Sequence, residues 1–262
     1  MNDLEKLRHH LKRGFENELT VNEDGTIPHV DTINHCLLYA FGECTQEHKT
    51  RCTTCDQLFI LIEQLNIILP ENLRSIIEES QNKLRYFLAH QARKVYLNNQ
   101  FKAKLLELDN NGAILVCDYK MRILPKCARE TKENFFGKRG WTLHTILVFT
   151  RCDSTQLDVQ AFDHWSTDTK QDAWFTASSF DAVFETLNPK PKWIKIFSDN
   201  GGHYHNSELM TIISNWNQWY NIDVRGWHFL EPGEAKTSVD SHHAQVNLNL
   251  IHKLKFFIIL KS

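Results

Sequence analysis

Three aspartates carry the first chemistry that this sequence offers. Asp199 closes the run Lys192-Trp-Ile-Lys-Ile-Phe-Ser-Asp-Asn-Gly-Gly-His203. There Trp193, Ile194, Ile196 and Phe197 favour a strand, and Asn200-Gly201-Gly202 supplies the backbone freedom that stops it. Asp118 follows Ala113-Ile-Leu-Val-Cys117 in the same way, after the turn Asn110-Asn111-Gly112. Downstream, Trp227-His-Phe-Leu ends in a polar loop from Glu231 that leads to a helix start with Asp240 near its opening turn. Glu231 and Glu234 compete with Asp240 for the third position. Carboxylates fixed at strand ends and opened toward loops suit Mg²⁺ or Mn²⁺, which take a few preorganised oxygens and keep positions for water and phosphate. Each acid alone is equally what an Asx-turn at a strand end would leave; the signal lies in their company. His203 and His205, just past the second acid, are either proton donors to a leaving group or surface polar residues.

A second constellation is Cys44, His48, Cys52 and Cys55, spaced Cys-x3-His-x3-Cys-x2-Cys. Four sulfur and nitrogen ligands this close match a structural tetrahedral Zn²⁺ site, and the residues between them are polar, as expected of a segment that folds around metal. His35 and Cys36 are spare ligands. The other reading is reduced cysteines in an ordinary loop.

The elements that must position these groups follow from periodicity. From Gln57, apolar residues at Leu58, Leu61, Ile62 and Leu65 predict a helix that Pro70 interrupts. A second helix opens at Glu71 and runs to Leu108, either broken near Asn98-Asn99 or a long strut. Its basic residues form an arm on DNA or a solvated face. Strands are predicted over Trp141 to Arg151 and Leu157 to Trp165, and a helix over Gln171 to Leu187, stopped by Pro189-Lys-Pro191 before the Asp199 strand. A helix from Ser207 to about Tyr220 and a last strand complete the order.

The chain has 262 residues, 42% hydrophobic and 24% charged, with a formal net charge of -2. That balance describes a globular protein and excludes a globally basic nucleic-acid binder, so any grip on DNA must be local. The local candidate lies after Asp118, where Lys120, Arg122, Lys126, Arg129, Lys132, Lys138 and Arg139 face only Glu130 and Glu133 in sequence. Such a cluster beside a metal-binding acid would hold phosphates without reading bases. Lys236 is a further phosphate contact. The charged start has no apolar signal core, and the odd cysteine count of seven points to reduced thiols or metal ligands. Both fit a nuclear or intracellular protein without a membrane partner.

The run Phe197-Ser-Asp-Asn-Gly201 resembles the second-acid motif of retroviral-type integrases, and Val116-Cys-Asp-Tyr-Lys-Met121 stands where the first acid belongs. Asp118 to Asp240 also resembles eukaryotic transposon-derived proteins of the DDE/D transposase and integrase branch of the ribonuclease H-like superfamily. Their third motif is matched here by Gly233-Glu-Ala-Lys-Thr-Ser-Val-Asp240. The resemblance implies an α/β fold, a ribonuclease H-like mixed sheet with flanking helices, over 110–262. A zinc-binding region over 1–57 and a helical segment over 58–109 precede it. It also implies two Mg²⁺ or Mn²⁺ ions shared by Asp118, Asp199 and Asp240, phosphodiester cleavage or strand transfer on DNA, and a homo-oligomer. The alternative is a domesticated zinc protein that binds DNA and no longer cuts. After Gln245 the sequence turns to residues that A/T-rich codons encode, from Val246 to Ser262. This predicts a C-terminus that is incomplete or, alternatively, a terminal helix on the sheet; the apolar run Phe256 to Leu260 is far too short to span a membrane.

Overall fold

In the computed structural model, residues 3–123, 131–132, 140–153, 156–231 and 238–246 are described. The chain divides into two compact units, Met1–Leu106 and Glu107–Ser262. The changed composition after Gln245 lies outside the described residues.

The first unit opens with α1 (Asp3–His9), which passes through a π-turn, His10–Gly14, into the short α2 (Phe15–Asn17). A loop and the single-turn α3 (Leu37–Ala40) lead to α4 (Thr53–Ile68) and α5 (Glu71–Leu106). Pro70 separates the last two because it has no N–H to continue the α4 ladder. The 36-residue α5 is unbroken at Asn98-Asn99. Asn99 Nδ2 donates to the carbonyl of Val95 at 2.8 Å, so its amide is satisfied along the helix instead of terminating it. Leu88, Ala92 and Val95, at helical spacing, meet Phe15, Leu19, Leu37 and Cys55 in a small core.

The second unit is a five-stranded mixed sheet in the order β3-β2-β1-β4-β5. Its strands are β1 (Gly112–Ile123), β2 (Trp141–Asp153), β3 (Gln156–Ser166), β4 (Trp193–Asp199) and β5 (Asp223–Leu230). The first three form an antiparallel meander, and β1–β4 and β4–β5 pair in parallel. Parallel pairing requires crossovers, supplied by α6 (Ala173–Thr186) and by α7 (Ser207–Ser214) with α8 (Trp216–Tyr220). This mixed five-stranded sheet with flanking helices is of the expected α/β class, and it puts β1 at the centre. The helix predicted from Ser207 to Tyr220 is thus two helices meeting at Asn215, and Asn221 closes the second in the left-handed conformation at φ 56.

Side chains alternate across β1. Ala113, Leu115, Cys117 and Tyr119 join the core with Phe180, Phe184 and Trp216, whereas Asp118 and Lys120 fall on the opposite face. Asp172 Oδ1 caps α6 by accepting from Phe175 N at 2.9 Å, and Asn206 Oδ1 caps α7 from Leu209 N at 2.8 Å. Among the described residues, no helix is long and apolar enough to cross a membrane.

At the start of β1, Gly112 pairs with Trp193, and a Cβ on Gly112 would lie 2.1 Å from the indole. That ring is held by Nε1 donating to Asp109 Oδ1 at 3.1 Å and by the Arg225 guanidinium 4.5 Å from its centroid. It cannot swing aside cheaply. Gly112→Ala is expected to destabilise the protein by about 1–3 kcal/mol, read as a lower urea midpoint with an unchanged slope.

Candidate metal centres

Asp118 leaves the centre of the sheet 8% exposed. Antiparallel register sets Thr145 of β2 opposite Asp118, and Asp163 of β3 opposite Thr145, so the three side chains form a row on one face. A helix over 238–246, α9, carries Asp240 and His243 one turn apart on the same side. Asp118, Asp240 and His243 each offer a ligand atom, all within 4.8 Å of one another.

The fastening of α9 determines the state of that histidine. Thr145 Oγ1 donates to Asp163 Oδ1 at 2.6 Å, which uses its only proton. The contact of His243 Nε2 with Thr145 Oγ1 at 2.9 Å is then an Nε2–H donation, leaving the ring's lone pair on Nδ1. Burial, with Lys120 nearby, pushes the His243 pKa down to about 4, so the imidazole is neutral. His242 Nε2 sits 2.9 Å from Asp163 Oδ2, and Lys120 Nζ donates to the His243 carbonyl at 3.4 Å. Five side chains, Lys120 of β1, Thr145 of β2, Asp163 of β3 and His242 and His243 of α9, therefore fasten the helix that carries Asp240.

Asp199 lies outside this converging group. The parallel register of β1 with β4 runs as far as Val116 opposite Phe197, two residues short of both acids, and Asp199 closes the strand next to the one that carries Asp118. Its Oδ1 accepts from Gly201 N at 2.9 Å and lies 3.3 Å from His203 Nε2. The glycines after it act differently from the predicted role in backbone freedom, since neither Gly201 nor Gly202 has a positive φ. A Cβ on Gly201 would lie 2.4 Å from His203 Cε1 and 2.9 Å from Asp199 Oδ1; what is needed is the missing side chain. His205 stacks on Phe229 at 4.6 Å instead of facing the acids.

Two carboxylates suit Mg²⁺, and the Nδ1 lone pair of His243 also admits Mn²⁺ or Zn²⁺. Glu231 follows β5, half-buried, outside the group; Glu234 lies outside the described residues. Of the predicted phosphate contacts, Lys120 borders the centre and Arg122 lies on β1, while Lys126, Lys138, Arg139 and Lys236 fall outside the described residues. Sequence reasoning missed Thr145, Asp163, His242 and His243. The one local signal was the Asp-x-x-His spacing of Asp240 and His243 at the start of a helix.

The cysteine and histidine quartet predicted as one site is divided in the fold. Cys52 and Cys55 stand with His10 and His35, whereas Cys44 and His48 stand with His29 and Cys36. The cause is local: Cys52 is the N-cap of α4 and Cys55 lies in its first turn, so this knuckle wraps the helix start. The π-turn and the segment before α3 bring His10 and His35 to it. His10 Nε2 is 3.2 Å and His35 Nε2 3.4 Å from Cys55 Sγ. Behind them Glu18 reaches both rings, 2.8 Å from His35 Nδ1 and 3.8 Å from His10 Nδ1. A carboxylate on Nδ1 that leaves Nε2 for the metal is the usual outer support of a histidine ligand. Burial lowers the His35 pKa against the pull of Glu18. Burial, with Cys52 beside it, raises that of Cys55. Two thiolates with two imidazoles are a donor set for Zn²⁺, and they fit it here.

On the helix-covered face, His144 is fully buried and stacks on Tyr119 at 4.2 Å, and neither ring nitrogen has a hydrogen-bond partner.

A family model described as "Domain of unknown function (DUF8701)" matches residues 97–254. No curated protein matches the sequence. Among solved structures, the catalytic core domain of BIV integrase aligns at 9% identity and a TM-score of 0.27, covering 53% of this chain and 67% of that one. The Mos1 strand transfer complex aligns at 12% identity and a TM-score of 0.30, covering 79% of this chain and 70% of that one.

Burial, followed by the charges of His164, His203 and His243, holds the His144 pKa well below its ordinary 6.5. The folded state therefore resists protonating a ring that the unfolded chain protonates freely. The stability this ring contributes is complete above the unfolded pKa and is lost as pH falls below it. The urea midpoint is expected to drop between about pH 7 and pH 5, and His144→Phe should flatten that drop. An identical pH dependence in the variant would remove His144 as a cause.

Proposed function

This chain belongs to the family described as a domain of unknown function (DUF8701), and from that premise we propose that it performs divalent-metal-dependent phosphodiester cleavage or strand transfer on DNA. The observation that carries the reading is the convergence of Asp118 from the central strand and Asp240 from α9, with His243, on one face of the sheet. In this reading Asp118 and Asp240 hold the cation and Asp199, one strand away, completes the set. When bound, Mg²⁺ or Mn²⁺ supplies Lewis-acid activation of the attacking oxygen and charge stabilisation at the leaving oxygen.

The chain's own residues do the rest. Asp118 is fixed opposite Thr145 by the antiparallel ladder with β2, so its carboxylate is preorganised. The Asp163–Thr145–His243 chain keeps α9 docked, and with it Asp240. Lys120, beside α9, presents a cation where a phosphate would arrive. Water or a DNA 3′-hydroxyl attacks phosphorus in line and gives up its proton to solvent; a new O–P bond forms and the opposite P–O bond breaks. His203, next to Asp199, is placed to deliver the proton that the departing oxygen takes.

One observation favours a second reading, a DNA-binding protein that no longer cuts: Asp199 Oδ1 is engaged by Gly201 and His203, apart from the other two acids. Supercoiled plasmid nicking with Mg²⁺ or Mn²⁺, run beside DNA binding by fluorescence anisotropy, separates the two. Asp118→Asn and Asp240→Asn are each expected to lower nicking on the order of a thousandfold while binding persists. Variants that fold and nick as fast as the parent would sink the catalytic reading, and a parent that binds without nicking would establish the second.

A further inference from the structure

Cys44 and His48 face His29 and Cys36, and one ligand atom from each of the four lies within 4.8 Å of the others. We propose that these four residues hold a second tetrahedral divalent ion of zinc's class. The N-terminal unit is then a two-metal module, interlocked through the consecutive residues His35 and Cys36. This inference is independent of the carboxylate centre.

The distances suit a tetrahedron. With metal–sulfur bonds near 2.3 Å and metal–nitrogen bonds near 2.0 Å, neighbouring ligand atoms stand about 3.3–3.8 Å apart. Cys44 Sγ lies 3.4 Å from His29 Nδ1, 3.8 Å from His48 Nε2 and 4.0 Å from Cys36 Sγ. A protonated thiol has one hydrogen to give. It has little reason to gather three donor atoms around itself, whereas a shared cation draws all four inward. Two thiolates also neutralise the ion's charge, which matters because Cys36 is fully buried. The Tyr39 and His48 rings pack edge to face with centroids 5.2 Å apart.

The order of the ligands makes the sites interdependent. One set is His10, His35, Cys52 and Cys55; the other is His29, Cys36, Cys44 and His48. The first encloses most of the second in sequence, but His29 precedes His35, so the two cross. His35 and Cys36 are joined by a single peptide bond and serve different ions. Around them the buried apolar cluster is small: Phe15, Leu19, Leu37, Cys55 and Ala92. A loop-rich segment with so little core is the setting in which bound metal supplies folding free energy.

The test uses the full-length protein purified with zinc. Thiol alkylation with and without chelator, mapped by peptide mass spectrometry, reports each cysteine separately. Cys44 and Cys52 are the informative pair, because both are only partly buried and burial alone would not protect them. Both are expected to be protected with zinc and to react together once it is removed. Cobalt substitution should give the thiolate-to-cobalt absorption of two sites per chain, a band that a carboxylate-bound ion does not produce, and Cys44→Ser should reduce it to that of one. Cys44 reacting equally fast with and without chelator, while Cys52 stays protected, would overturn the second site. If Cys44→Ser fails to fold, the alkylation pattern of the unmodified chain still decides.

Discussion

The pairing of β1 on both edges is the constraint on which the C-terminal unit depends. Antiparallel register with β2 and parallel register with β4 fix which residues of β1 face the helices and which face α9. A slip of one residue would send Asp118 into the apolar layer of Phe180 and Trp216 and bring Cys117 to the open face. The register is set at one end by Gly112 beneath Trp193, and Ala113, Leu115 and Cys117 lie buried among the core residues. The acid row and the docking of α9 follow from that alignment.

Much of this was legible in the sequence because it is periodic. The strands, α6, Pro70 and Asp199 at the end of β4 each carry a local signature, and the order of elements is enough for the α/β class. Asp118, expected at a strand end, instead lies within β1, whose pairing with β2 carries the strand on to Ile123. What was not legible is what the chain brings from afar. Thr145 and Asp163 look like ordinary polar strand residues until the meander lines them up with Asp118. The cysteine and histidine ligands were grouped by nearness in sequence, which places Cys44 with Cys52. The fold groups them by the course of the backbone, and His10 contributes from before the first loop. The glycines after Asp199 showed a turn correctly, but the role of Gly201 is close approach to His203 and the carboxylate.

The two units solve the problem of burying polar groups in different ways. In the first, imidazoles and thiols cluster with Glu18 behind them, an arrangement that a cation makes favourable. In the second, His144 is buried neutral against Tyr119 with no compensating hydrogen bond, a cost borne by the aromatic packing of Phe175, Phe180 and Tyr204 around it.

The three acids emerge from the ribosome far apart in time. Asp118 and Asp199 belong to strands that can align as soon as β4 is made, but Asp240 and His243 sit on α9, the last described element. That helix is moored by side chains of β1, β2 and β3 and has no strand pairing of its own. The acidic centre therefore cannot preassemble during synthesis. The convergence of Asp118, Asp240 and His243 waits on that helix reaching the sheet.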